Sequence, residues 1–212
     1  MKASKTSRIF ESCGAALLFM LLSGCVGGQP IKYYRLEIPP APDATPEIPF
    51  GVSLQVANLD TPPLMRDGRL LYQVGTHEVG AYEYHRWVET PDRIVQSSLV
   101  RMLRGSGKFQ SVDTPRSGAK ADYVLQGRIY EFSEVDRPEI FSNVSLEVEL
   151  HEVKTLRTVW SRTYTHEERV DGKQVPDVVA SLDKNLQQGL REIVNGLNQY
   201  FSTKVATAKP LP

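Results

Sequence analysis

Between Phe141 and Val153 the sequence reads FSNVSLEVELHEV. Val144, Leu146, Val148 and Leu150 alternate there with Ser145, Glu147, Glu149 and His151. Successive side chains of a strand point to opposite faces, so one face of this segment is packed and the other wet. A strand of that kind needs a covering layer. KTLR, residues 154–157, can turn the chain back antiparallel into TVWSRTYTHEE, residues 158–168. The cover comes from Pro176 onward. Val178, Val179, Leu182, Leu186, Leu190, Ile193, Val194, Leu197 and Phe201 recur there at spacings of three and four, the stripe of an amphipathic helix.

The segments upstream extend both layers. YYRLEI (33–38) alternates as a strand, and PPAPDATPEIP (39–49) has too many prolines for helix or strand. GVSLQVANL (51–59) puts Val52, Leu54 and Val56 on one face; RLLYQV (69–74) and AYEYHRWVE (81–89) are further extended runs. Thr90-Pro91-Asp92 is a helix start, with an N-cap type, proline at the first helical position and an acid in the first turn. Ile94, Val95, Ser98, Leu99, Met102 and Leu103 make one face of that helix, and Gly105 ends it. KFQSV (108–112) and DYVLQGRIYEFSEV (122–135) read as a short and a long strand. The expected fold is α+β, a two-layer sandwich in which two helices pack on one face of a mostly antiparallel sheet. The folded domain is expected over 32–204, with 205–212 a disordered tail.

The amino terminus decides location. Lys2, Lys5 and Arg8 precede an apolar run from Cys13 to Leu22, too short for the roughly 20 residues that span a bilayer. The segment therefore reads as an export signal. It closes on Leu22-Ser23-Gly24-Cys25, which resembles the lipobox read by the bacterial lipoprotein signal peptidase. That resemblance implies cleavage after residue 24, leaving Cys25 as the lipidated first residue. Leu22, Ser23 and Gly24 would be the recognition residues. With two or more acyl chains, each buried methylene worth roughly 0.8 kcal/mol, the mature chain would stay on a membrane. Residues 25–31 then form a tether, and at about 3.3–3.6 Å per residue the folded body lies within roughly 20 Å of its anchor. Val26 follows the cysteine in place of the aspartate associated with inner-membrane retention, so the periplasmic face of the outer membrane is expected.

Loss of residues 1–24 leaves 22 basic against 24 acidic residues, with no basic footprint for nucleic acid. Cys13 leaves with the signal, so no disulfide can form and the core alone must hold the fold. The histidines, His77, His85, His151 and His166, match no zinc-binding spacing. RGSGKF (104–109) gathers glycines and a lysine, yet Phe109 stands where a phosphate loop needs serine or threonine, and a helix precedes it. No G-x-S-x-G elbow occurs, and Cys25 is committed to lipid. The chain is expected not to be an enzyme and to carry no cofactor or metal, apart from the covalent lipid on Cys25.

The aromatic strand YEYHRW (82–87) places Tyr82 and Tyr84 on one face and Glu83, His85 and Trp87 on the other. One reading packs one set under the first helix and leaves the other exposed. The other makes Tyr82, Tyr84, Arg86 and Trp87 a partner-binding patch, since Tyr, Trp and Arg anchor interfaces.

Lipobox, YYRL (33–36), RDGRLLYQ, the aromatic strand, Arg86-Trp87 followed by Pro91, SGKFQSV and ADYVLQGRIYEF together resemble the ABC-type transport auxiliary lipoproteins, the PqiC-like group. The resemblance implies a non-enzymatic α+β domain tethered to the outer membrane. Its implied partners are a membrane-anchored MCE-domain (mammalian cell entry) protein and often an ABC permease and ATPase, moving lipids or other hydrophobic compounds. Self-association into a homo-oligomeric ring is a further expectation. Two other classes stay open: a lipid-carrying lipoprotein with an apolar cavity, and a structural or regulatory lipoprotein serving a cell-wall enzyme or an exporter.

Overall fold

The computed structural model describes residues 29–37 and 50–208. Ile31–Pro212 is one unit, in which the described residues form eight strands, two α-helices and two short 3-10 helices, Pro63–Asp67 and Pro115–Ser117. The strands are β1 (Lys32–Tyr34), β2 (Ser53–Val56), β3 (Arg69–Val74), β4 (Glu78–Trp87), β5 (Ser111–Asp113), β6 (Tyr123–Asp136), β7 (Ile140–Glu152) and β8 (Arg157–Arg169). The helices are α1 (Pro91–Gly105) and α2 (Val175–Ala208). The α+β expectation holds.

The long ladders β6–β7 and β7–β8 are antiparallel, as is β3–β4. The sheet is nevertheless mixed, because β1–β4, β2–β5, β2–β6 and β3–β6 all pair in parallel. Antiparallel hairpins follow from short turns, whereas these parallel pairs join strands distant in sequence. β6 organises the whole. Its Tyr123–Leu125 stretch pairs with β2 and its Ser133–Asp136 stretch with β3, while β7 pairs along its length. Residues 57–60 fill the fork between β2 and β3: Ala57 N–H donates to Leu125 O at 2.8 Å and Asp60 N–H to Gly127 O at 2.9 Å.

The alternation in β7 is realised as read: Val144, Leu146, Val148 and Leu150 are fully buried. All nine stripe residues of α2 are buried with them, so the helix seals the face. Two of its glycines serve the packing. A Cβ at Gly189 would collide with the Tyr164 ring and one at Gly196 with the Trp160 ring, so these positions, seven residues apart, seat the large side chains of β8. Phe201 ends the core in a cluster with Phe50, Phe109, Tyr123 and Tyr200.

Several boundaries differ from expectation. β1 stops at Tyr34 because Arg35–Glu37 leaves the sheet for α2, where Glu37 N–H donates to Asp183 Oδ2 at 3.1 Å and Gln187 Nε2 donates to Glu37 O at 2.6 Å. The strand expected at 108–112 is Ser111–Asp113. α1 begins and ends as read, but Thr90 makes no side-chain cap, and Gln96 and Val100 join its buried face. Gln96 is held there by donating from Nε2 to Val56 O at 3.0 Å. α2 continues to Ala208, so residues 205–208 of the expected disordered tail are helical. The signal, Leu22, Ser23, Gly24, Cys25 and the proline-rich loop lie outside the described residues.

Candidate functional site

The aromatic strand β4 departs from simple parity. Against β3, Leu71 pairs with Ala81 but Arg69 with Arg86, so β4 advances five residues while β3 advances two. Extra residues in one strand make a bulge and re-aim its side chains. Tyr82 and His85, expected on opposite faces, are thereby brought into edge contact, with ring centroids 5.4 Å apart.

Around that bulge four rings and a carboxylate assemble. Tyr34 of β1 stacks on His85 at 5.6 Å, and its hydroxyl lies 2.8 Å from His85 Nδ1. Tyr72 meets Tyr82 edge-on at 5.0 Å. Gly80, opposite Tyr72 in the ladder, leaves room for that ring, since a Cβ there would overlap it. Tyr82 donates its hydroxyl to Glu134 Oε2 at 2.8 Å, and Glu134 is buried. Burial raises the Glu134 carboxyl above the ordinary range, partly offset by the Tyr82 hydrogen bond. Burial, reinforced by Glu134, pushes the Tyr82 phenol well up. Burial, with Lys32 nearby, lowers His85.

The folded pKa of Glu134 is raised, so its ionisation detracts from stability as pH climbs past the unfolded value and through the folded one. Glu134→Gln keeps an acceptor for Tyr82 and removes that cost. The variant is expected to melt like the parent near pH 4 and several degrees higher near pH 7, checked by thermal melts at both values.

The four residues of the expected patch are not displayed together. Trp87 is only 4% exposed and packs on Phe132 at 5.4 Å, so it belongs to the core, contrary to the reading that made it a surface anchor. Tyr82 is half-buried in the cluster above. Arg86 is half-buried and donates from its guanidinium to Asp67 O at 3.2 Å, bracing the turn before β3. Tyr84 is half-buried, with Glu83 holding its phenol above the usual value. The most open aromatic of this region is Tyr33, 63% exposed and paired with Arg86 in the β1–β4 register. Its position in a three-residue edge strand, invisible in the sequence pattern, is what exposes it.

Clefts flank the sheet. One of about 260 Å³ lies between the end of β1 and α1, lined by Leu36, Val88, Ile94, Arg35, Glu89 and Arg101 among others. Another of about 460 Å³ opens beside the fork on β6, with Asp60, Arg128, Tyr130, Glu147 and Glu149 on its walls. Tyr130 donates to Glu147 Oε2 at 2.7 Å and Arg128 to Asp60 Oδ2 at 3.0 Å, so these groups satisfy one another. Among the described residues no group of three His, Cys, Asp or Glu is arranged to hold a metal. His151 and His166 each lie beside a glutamate of their own strand, at 2.9 and 3.3 Å.

Fold and surface define a class: a long-stranded α+β domain whose polar clusters brace strands and helices against one another. The sequence profile of the ABC-type transport auxiliary lipoprotein component family matches residues 34–194, and the chain belongs to that family. It is a family of transport auxiliary components and not of enzymes. No curated protein matches the sequence. A crystal structure of a Xanthomonas campestris protein superposes with a TM-score of 0.73 at 20% identity, over 83% of this chain and 99% of that one. A second crystal structure, of an uncharacterized protein, gives 0.63 at 16% identity over 80% and 99%. At such identities the likeness is one of fold. No helix among the described residues is long and apolar enough to cross a membrane.

Proposed function

We propose that the protein is a non-enzymatic lipoprotein, held by lipid on Cys25 at the periplasmic face of the outer membrane, that docks an MCE-domain protein of an ABC-type transport system. The cargo is lipid or another hydrophobic compound, and self-association into a ring is part of the proposal. The observation that carries the reading is the family match over the folded domain, downstream of a sequence ending in a lipobox. Charged, mutually paired walls in the fork cleft favour an adaptor over a carrier that must enclose acyl chains.

In cells, crosslinking followed by purification of the full-length protein in mild detergent is expected to recover an MCE-domain protein, with or without its permease and ATPase. Cys25→Ala, which removes the lipid attachment point, is expected to take the protein out of the outer-membrane fraction and to reduce that recovery at least tenfold. Recovery of cell-wall enzymes or an exporter instead would sink the transport reading.

A further inference from the structure

Among the described residues, β1, β5 and β8 each pair with a strand on one side only. β1 and β5 are three residues long and offer little edge. β8 is 13 residues long. Its one irregularity, opposite Leu150 and His151, is confined to the hairpin end; from Trp160 to Arg169 the register is unbroken and holds no proline or glycine. Natural edges are shortened, bulged, covered or broken with proline to keep other strands off. This one is left long and regular.

The ladder tells which groups face outward. Val170 N–H donates to Ile140 O at 2.9 Å, and the Phe141–Arg169 pairing places these two residues opposite each other. Bonded pairs alternate along an antiparallel ladder. The even-numbered residues of β8 therefore turn their backbone groups to β7, and Ser161, Thr163, Thr165, Glu167 and Arg169 turn theirs to the open edge, where no strand meets them. The side chains of these five are exposed. The even side chains meet α2: Trp160 and Tyr164 seat against Gly196 and Gly189, Arg162 pairs with Glu192 at 3.3 Å, and Glu168 pairs with Lys184.

The charges along this edge match their own inversion. Laid antiparallel on a second β8 about a two-fold at Thr165, Thr165 meets Thr165, Thr163 meets Glu167 and Ser161 meets Arg169, all through outward backbone groups. Arg162 then meets Glu168 in the alternate, non-bonded position, where side chains come closest and opposite charges attract. Each Arg162 stands between Glu192 of its own chain and Glu168 of the copy, and each Glu168 between Lys184 and Arg162 of the copy. Neighbouring registers lose this. A centre at Tyr164 sets Arg162 against His166, one at Thr163 sets Arg157 against Arg169, and one at Glu167 sets that acid against itself. The helices fit as well. Asn185 bonds to both β7 and β8, so α2 rides above the space between them, and its mate across the two-fold lies two strand spacings away, about 9.5 Å, within the range at which helices pack.

We infer that the open edge of β8 is the contact between two copies of this chain, a two-fold antiparallel strand pairing that carries the sheet from one protomer into the other. The inference goes beyond the transport reading and does not rest on it. Such a contact is isologous and closes on two copies, so a larger ring needs a further surface.

The test uses the full-length lipidated protein in isolated membranes. Thr165→Cys is expected to give a disulfide-linked dimer under a mild oxidant, because opposed residues of a bonded pair have Cα atoms about 5.5 Å apart, within disulfide reach. Thr163→Cys is expected to give none, since it and its counterpart are four positions apart along the ladder, roughly 14 Å. Arg162→Glu and Glu168→Arg, each alone, are expected to cut the dimer recovered in mild detergent at least tenfold. Co-expressed on two differently tagged copies, they are expected to pair with each other, because both cross-copy contacts are again of opposite sign. No dimer from position 165, equal crosslinking from 163, or no preference of the two charge variants for each other overturns the contact. A Thr165→Cys adduct with a different protein in place of the dimer also overturns it and makes the edge a strand-addition site for that protein. Recovery of an MCE-domain protein is read separately, so the adaptor reading and this contact can fail independently.

Discussion

Gly127→Ala is expected to deprive the protein of its folded state. Gly127 lies on β6 opposite Val148, and a Cβ there would fall far inside contact distance of Glu147 O and against Val148 Cα. The obstacle is backbone of the neighbouring strand, which cannot rotate aside. The only relief is to part β6 from β7, and β6 is the strand to which β2, β3 and β7 are all attached. Overpacking of a core ordinarily costs about 1–3 kcal/mol, and a clash spread along a central ladder belongs above that range. Against a total stability of roughly 5–15 kcal/mol, a loss of about 4 kcal/mol or more leaves little soluble protein. Soluble yield and circular-dichroism melts check this. Gly80→Ala is the informative contrast: the three atoms nearest its Cβ all belong to the Tyr72 side chain, which can move, so a folded but less stable protein is expected.

Asn185→Leu is expected to lower the melting temperature by about 6–12 °C, corresponding to about 3 kcal/mol in a domain of this size. Asn185 is buried on the inner face of α2. Its Nδ2 donates to Ser142 O at 3.1 Å and to His166 O at 2.9 Å, while its Oδ1 accepts from the Tyr164 hydroxyl at 2.8 Å. One side chain thus ties the helix to both β7 and β8. Leucine matches its size but removes both donors and the acceptor, and each buried group left short of a partner costs about 1–3 kcal/mol. The Tyr164 hydroxyl retains Asn185 O at 3.1 Å, which keeps the loss below the simple sum. A melt indistinguishable from the parent would show that the pin is dispensable.

The elements legible in the sequence are those whose pattern is local. β7 announces itself because four fully buried residues alternate with polar ones, and α2 because nine apolar residues keep one stripe. Neighbour relations were not legible: nothing in SLQV or RLLYQV tells that both share one edge of β6 in parallel. The aromatic site failed for a related reason. Parity along YEYHRW assumes an even ladder, and the three-residue mismatch against β3 moves Tyr82 next to His85 while Trp87 goes to the core. Glu134, which completes that site, lies 52 positions from Tyr82, and an acid within FSEV reads as surface until the fold buries it. Leu156 was equally hidden, because KTLR looks like an ordinary polar turn and only the backbone reveals the left-handed residue.

β1 is three residues long, pairs with β4 alone, and is followed by the Glu37 contacts to α2. Residues 31–37 held in this way represent about 25 Å of chain at full extension. The grip of β1 therefore sets a length: docked, it fixes the leash at its shortest; detached, it would pay out about 25 Å of slack, at the expense of Leu36 leaving the core and Tyr34 leaving His85. How far such a domain can stray from the point where it is moored depends on one short strand at its margin.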